Sequence, residues 1–213
     1  MREIVFPEAF QQREIDALKN RVIKKDRAFL LLLGPSSVGK SEIIEELDKI
    51  TDYDRFRYVK PYTTRELRPN EKSKIHVEND EFTEMHAAGE FIVVNDLYGV
   101  RYGTPKETIL SALDEGKTPL LDYPLRTVGK LAHPSYDLVS AYIYPPSIEE
   151  LMARLTSSGR HIDDRAELGV QELEQLIKSG YQHPDLDFSV VSENNRVNKA
   201  AQYILKTLEE VTI

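Results

Sequence analysis

The chain has no cysteine and no tryptophan among its 213 residues. Without cysteine there is no disulfide, no thiolate nucleophile and no thiolate-bound metal, and nothing points to an oxidising compartment. Long apolar runs are missing too. No stretch approaches the ~20 residues that a helix needs to cross a bilayer, and the N-terminus carries no signal-peptide pattern. Positive charge is in deficit, with 28 Lys and Arg against 36 Asp and Glu, a formal net charge of -8. That balance argues against a nucleic-acid partner, which needs a basic footprint. The histidines, His76, His86, His133, His161 and His183, are scattered with no pair at metal-ligand spacing, and no Ser/His/Asp hydrolase pattern is present. With 40% hydrophobic and 30% charged residues, the expected class is a cytoplasmic, non-membrane α/β enzyme built on one sizeable domain.

The most informative segment is FLLLLGPSSVGKS at 29–41. Phe29 to Leu33 form the short, continuously apolar run of a buried parallel strand. Gly34, Ser36, Ser37, Val38, Gly39, Lys40 and Ser41 then fit G-x-x-x-x-G-K-[ST]. Ile43, Ile44, Leu47 and Ile50 follow at helical spacing. Strand, glycine turn and helix start arrive in the order that builds a phosphate cradle, with backbone N–H groups and a helix N-terminus aimed at an anion. Lys40 is expected to reach the β- and γ-phosphates of a nucleoside triphosphate, and Ser41 to hold Mg²⁺.

The rest of the chain alternates. Residues 7–27 read as an amphipathic helix with Ile15, Leu18 and Val22 on one stripe, within an N-terminal extension over 1–28. Residues 52–81 are polar and proline-bearing, and a strand follows at 90–95. Thr104-Pro105-Lys106-Glu107 reads as a capping box opening a helix with Ile109, Leu110 and Leu113 that stops at Gly116. Strands are expected at 118–122 and 139–144. Ser147 to Glu150 forms a second capping box, opening a helix through Leu151 and Leu155. Helices at about 165–179 and 195–210 flank a strand at 187–192. Such alternation implies a parallel sheet covered on both faces, interrupted by an inserted lobe.

Three further groups carry chemistry. Asp122 ends a buried strand, where an acid can hold Mg²⁺ through water. Arg65 and Arg68 stand close together in an irregular segment, and guanidinium forks suit phosphate oxygens. Arg154, Arg160 and Arg165 surround a short polar connection, as expected of a basic lid over a transferring phosphoryl group.

With these residues collected, the chain resembles the guanylate kinase family over roughly 29–210. The resemblance is carried by GPSSVGKS, TTRELR, GEFIVVNDLYGVRYGTPKETI, PLLDYP and YIYPPSIEELMARL. It implies a three-layer αβα P-loop NTPase fold over 29–213, with a parallel sheet, an inserted acceptor lobe at about 56–104 and a short lid at about 154–165. It implies an ATP-dependent, Mg²⁺-assisted phosphotransferase acting on a small-molecule phosphate acceptor, with GMP the family default, and a monomer or homodimer. Catalysis falls to Lys40, Arg154, Arg160 and Arg165. Arg65, Arg68 and Tyr102 are expected on the acceptor phosphate, with Thr104 on the acceptor side.

The departures fall in one place. Val93 and Pro124 stand where the family carries guanine-reading acids. Pro61-Tyr62 replaces the serine before TTR. Lys74 lies where a phosphate-binding tyrosine is expected, and Arg101 replaces the first tyrosine of Tyr-Tyr-Gly. Lys74 and Arg101 add positive charge to the acceptor lobe. Three alternatives to the nucleotide acceptor stay open: a sugar-phosphate kinase similar to the ribose bisphosphate kinases, a non-catalytic guanylate kinase-like binding module, and a P-loop NTPase that hydrolyses without a small acceptor.

Overall fold

The computed structural model describes residues 3–69, 71–97, 99–123, 125–131, 135–157 and 164–213, and at 97 and 164–166 the backbone alone. In chain order the elements are α1 (Glu8–Lys19), β1 (Ala28–Leu33), α2 (Lys40–Ile50), β2 (Phe56–Tyr58), β3 (Tyr62–Thr63), β4 (Ile75–His76), α3 (Asn79–Ala87), β5 (Phe91–Leu97) and β6 (Val100–Pro105). They continue with α4 (Lys106–Asp114), β7 (Thr118–Asp122), β8 (Asp137–Tyr144), α5 (Ile148–Ser157), α6 (Asp164–Lys178), β9 (Phe188–Val191) and α7 (Val197–Val211). A 3₁₀ segment, Leu125–Leu131, follows β7.

The central sheet is parallel, in the order β2-β7-β1-β8-β9. Every residue of β1 is buried, which explains why its sequence shows no alternation: both faces are covered. The chain runs from β1 out to the β2 edge, returns through β7, then crosses β1 to β8. The carboxyl ends of β7, β1 and β8 therefore border the point where the winding reverses, where ligands bind in open α/β sheets. In the β1–β7 register Leu32 lies beside Asp122, so the acid arrives level with the end of β1. Ile43, Ile44 and Leu47 bury the inner face of α2, and α2 packs against α7, whose Ala200, Ala201, Ile204 and Leu208 are buried. Each large aliphatic side chain buried this way stabilises by about 1.5–3 kcal/mol relative to exposure.

A second, four-stranded sheet runs β4-β3-β6-β5 over its own small core of Val77, Phe82 and Phe91. Gly103 is required there, because a Cβ on it would lie 2.7 Å from the Phe91 ring. The segment 56–58 belongs to the main sheet, since β2 pairs in parallel with β7. Composition hid it, because only Phe56 of the three residues is buried.

Two local readings are corrected. The first helix spans Glu8–Lys19 and not 7–27, and Val22 is 67% exposed. The chain leaves the helix so that Ile23 can bridge Thr212 near the C-terminus, and Ile23 takes the buried place instead. Thr104 does not cap α4: it is a buried strand residue paired with Val93, and Pro105 holds the cap position with no side-chain bond. On that helix Ile109 and Ala112 are buried and Leu110 is exposed. The second box does act as a cap, the Glu150 N–H donating to Ser147 Oγ at 3.1 Å.

The N-terminal helix α1 is bonded to the sheet. Ser189 of β9 donates to the Glu14 carboxylate through its N–H and its hydroxyl, at 3.0 and 2.8 Å. Burial pushes the Glu14 carboxyl up to about 7; the nearby Asp187 charge adds to this and the Ser189 bonds partly offset it. The folded state thus holds a proton that the unfolded chain, with an ordinary value of 4.5, has released. The Glu14 contribution to stability therefore falls as pH rises from about 4.5 to about 7. Replacing Glu14 with Gln is expected to flatten this slope and to stabilise the protein at pH 8 by about 1–3 kcal/mol. Melting temperatures of both proteins from pH 5 to 8 check it; an unchanged slope in the variant would refute it.

Candidate active site

The loop between β1 and α2 is set by positive-φ residues: Gly34 at 131°, Ser37 at 63° and Gly39 at 109°. Both glycines are also hemmed in. A Cβ on Gly34 would lie 2.6 Å from the Ile143 carbonyl oxygen of β8, and one on Gly39 would lie 2.6 Å from Ser192 Oγ, just past β9. Lys40 folds back over the loop and donates to the Gly34 and Pro35 carbonyls at 2.7 and 2.9 Å, holding its ammonium over the anion-binding turn. Such a loop at a helix N-terminus can cradle phosphate.

A cavity of about 480 Å³ opens on this loop. Ser36, Ser37, Val38, Gly39, Lys40 and Ser41 form one wall, Arg65, Arg68 and Lys74 the facing wall, and Asp122 also lines it. Ser41 and Asp122, which offer a hydroxyl and a carboxylate of the kind Mg²⁺ takes, both line it. A second cavity, of about 230 Å³, shares Ser36, Lys40, Lys74 and Asp122 and extends to Gly34, Asn95, Tyr102, Thr104, Tyr123, Arg126 and Glu172.

Glu71, not singled out from sequence, organises the facing wall. It accepts from Arg65 Nη2 at 2.6 Å and from the Arg68 N–H at 3.0 Å, and Lys74 lies at 4.0 Å. Burial by itself would raise the Glu71 carboxyl. The Arg65 and Arg68 bonds and the charges of Arg65 and Lys74 outweigh burial and lower it to about 2. Arg65 is in turn held above its ordinary value, first by the Glu71 bond. The clamp therefore stays ionised at any working pH.

Arg154 does not hang in a lid. It lies in α5, donates to the Val38 carbonyl at 3.1 Å and to Ser192 O and Asn194 Oδ1 at 2.9 Å, and pairs with Glu150 at 3.1 Å. It ties the phosphate loop to the turn after β9. Arg160 lies outside the described residues, as does the side chain of Arg165. Arg101 is not brought to the site. Its guanidinium stacks 4.3 Å from the Phe82 ring centroid and donates to Thr83 Oγ1 at 2.8 Å, facing the lobe's own core. Tyr102 and Thr104 line the second cavity. Val93 is 7% exposed and cross-strand from Thr104, so an apolar side chain stands on that face; Pro124 lies outside the described residues.

Comparison with known proteins gives this geometry a context. The guanylate kinase family model matches residues 26–211. The chain belongs to the guanylate kinase family. A guanylate kinase of Lactococcus lactis is 31% identical over 189 residues, covering 87% of this chain and 89% of that protein. One from a Nostoc species is 29% identical over 168 residues, with 78% and 82% covered. The crystal structure of guanylate kinase from Anaplasma phagocytophilum aligns with a TM-score of 0.60 at 24% identity, over 88% of this chain and 87% of that one, a likeness of fold. As a family member the chain is an ATP-dependent phosphotransferase with a P-loop NTPase fold.

Sequence reasoning missed Glu71, Asn95, Tyr123, Ser192 and Asn194. One signal was available for the last two: the polar turn Ser-Glu-Asn-Asn follows a strand, and strand ends border the crevice in such sheets. Gly39→Ala is expected to destabilise the protein by about 1–3 kcal/mol, because alanine is strained at that φ and its methyl meets Ser192. Adding Ser192→Ala should recover only the steric part. Denaturant titration of the single and double variants checks this; full recovery would refute the backbone contribution.

Proposed function

We propose that this guanylate kinase family member transfers the γ-phosphoryl group of ATP to a phosphomonoester, with a nucleoside monophosphate the expected acceptor class and GMP, from the names of the relatives, the first to test. The observation that carries the reading is one cavity lined on one side by the phosphate loop and Asp122 and on the other by Arg65, Arg68 and Lys74. Donor and acceptor phosphates can share it only if both charges are met by protein groups, and both walls supply them.

In this reading the backbone N–H groups of 34–41 and Lys40 hold the β- and γ-phosphates of ATP. Ser41 and Asp122 would hold Mg²⁺, which neutralises charge between the phosphates when bound. Arg65 and Arg68 grip the acceptor phosphate as forks, and Lys74 adds a point charge. Little covalent work falls to the protein in phosphoryl transfer, so these groups act by positioning and by charge stabilisation. Arg154 supports the loop, while Arg160 and Arg165 are assigned to closing over the transferring group. A sugar-phosphate acceptor is the second reading, favoured by the apolar Val93 at the position where the family resemblance expects a guanine-reading acid.

Lys40→Ala is expected to abolish transfer to any acceptor while lowering the melting temperature without ligand only modestly, through loss of its two bonds to loop carbonyls. ATP–Mg²⁺ at a hundredfold excess over its dissociation constant should stabilise the wild type by about 2.7 kcal/mol. An ATP-consumption assay over GMP, AMP, CMP, UMP and ribose phosphates, with thermal shifts alongside, tests both; undiminished turnover by the variant would end the assignment.

Glu71→Ala should loosen Arg65 and the Arg68 backbone together. The Michaelis constant for the acceptor is then expected to rise about tenfold, worth about 1.4 kcal/mol, with ATP binding unchanged. Initial rates at varied acceptor and fixed ATP measure it, and an unaltered constant would show that Glu71 does not organise acceptor binding.

A further inference from the structure

The second cavity reaches past the phosphate wall to a polar group that the phosphate-transfer reading leaves unused. Asn95, on β5, is 3% exposed and lines this cavity. Its Oδ1 accepts from Lys130 Nζ at 3.1 Å, and its Nδ2 donates to the Tyr123 hydroxyl at 2.9 Å. Tyr123 is 6% exposed, and Thr104, 5% exposed, lines the same cavity.

Lys130 sets the direction of this chain. An ammonium can only donate, so the amide must turn its oxygen to Lys130 and its NH₂ to Tyr123. Tyr123 accepts from Asn95. Its own hydroxyl proton is then left to donate. The second N–H of Asn95 is also left over, and the Arg126 guanidinium lines the same cavity. Two carboxylates also line this cavity, Asp122 at the phosphate loop and Glu172, one oxygen of which accepts from Tyr142 at 2.8 Å; neither is bonded to the Lys130–Asn95–Tyr123 edge. Val93, cross-strand from Thr104, offers no acceptor.

We infer that Lys130, Asn95, Tyr123 and Thr104 form a donor edge that selects an acceptor whose end away from its phosphate carries hydrogen-bond-accepting oxygens. This rests on the phosphotransferase reading above. Guanine presents N–H donors on its pairing edge, which would face donors here, and burying unpaired donors is costly. Keto oxygens of a pyrimidine and the oxygens of a second sugar phosphate share the required chemistry. Lys130 is the residue that fixes the polarity. Without it the amide is free to turn its oxygen into the cavity.

The test compares kcat/KM for UMP, ribose 1,5-bisphosphate and GMP in the wild type and in Lys130→Met, an exposed position where the change does not threaten folding. The wild type is expected to favour UMP or the bisphosphate over GMP by at least tenfold, and which of the two it favours identifies the oxygen source. Lys130→Met should lower kcat/KM for the favoured acceptor about tenfold, mainly through KM, and raise the ratio for GMP. The thermal shift with ATP–Mg²⁺ should match the wild type. A wild-type preference for GMP, or a GMP ratio unmoved by the variant, overturns the donor edge and leaves the kinase assignment standing. ATP–Mg²⁺ binding with no transfer to any acceptor overturns the assignment itself, and the donor edge with it.

Discussion

The turn from β1 into α2 is the constraint on which the rest depends. It must expose a row of N–H groups, so it takes positive φ at Gly34, Ser37 and Gly39. It must also pass within van der Waals reach of Ile143 and Ser192. Those neighbours belong to β8 and to the turn after β9, so the loop keeps its shape only when the central sheet is assembled. Arg154 closes the arrangement from α5 by bonding both the loop and the Ser192 carbonyl. A motif contiguous in the chain is thus held by three segments more than a hundred residues away.

The charge distribution follows from the same site. The chain is acidic overall, at -8, yet Lys40, Arg65, Arg68, Lys74 and Arg154 gather around one cavity. Cations packed this closely repel one another. Glu71 relieves that by taking Arg65, the Arg68 N–H and the Lys74 charge at once, and its lowered carboxyl measures how strongly they hold it ionised. The acceptor side is therefore preorganised, the Arg65 fork and the Arg68 backbone held by a carboxylate that stays ionised in the neutral range.

Much of the fold was legible because local signals agreed with one another. Unbroken apolar runs marked β1, β7 and β8, which are covered on both faces, helical spacing marked α2, and a capping box marked α5. The errors arose where a local signal met a tertiary demand. Thr104 had the pattern of a helix cap but was taken into β6 by pairing with Val93. Val22 lay on the apolar stripe of α1, but the chain leaves the helix before it so that Ile23 can bridge Thr212. Arg101 looked like added charge for the acceptor and instead stacks on Phe82, because strand alternation turns it to the face opposite that of Tyr102.

By itself the sequence determined the phosphate loop, the strand and helix flanking it and the acid at the end of β7, because each is written in neighbouring residues, and its motifs carried the resemblance to the family. Only the tertiary structure decided what faces the loop. Glu71 on Arg65, Arg154 on Val38 and Lys130 on Asn95 are contacts between segments whose relative position is set by strand order and register. A hydrogen bond of that kind leaves no periodicity in the chain, because its two ends meet only after the sheets have formed.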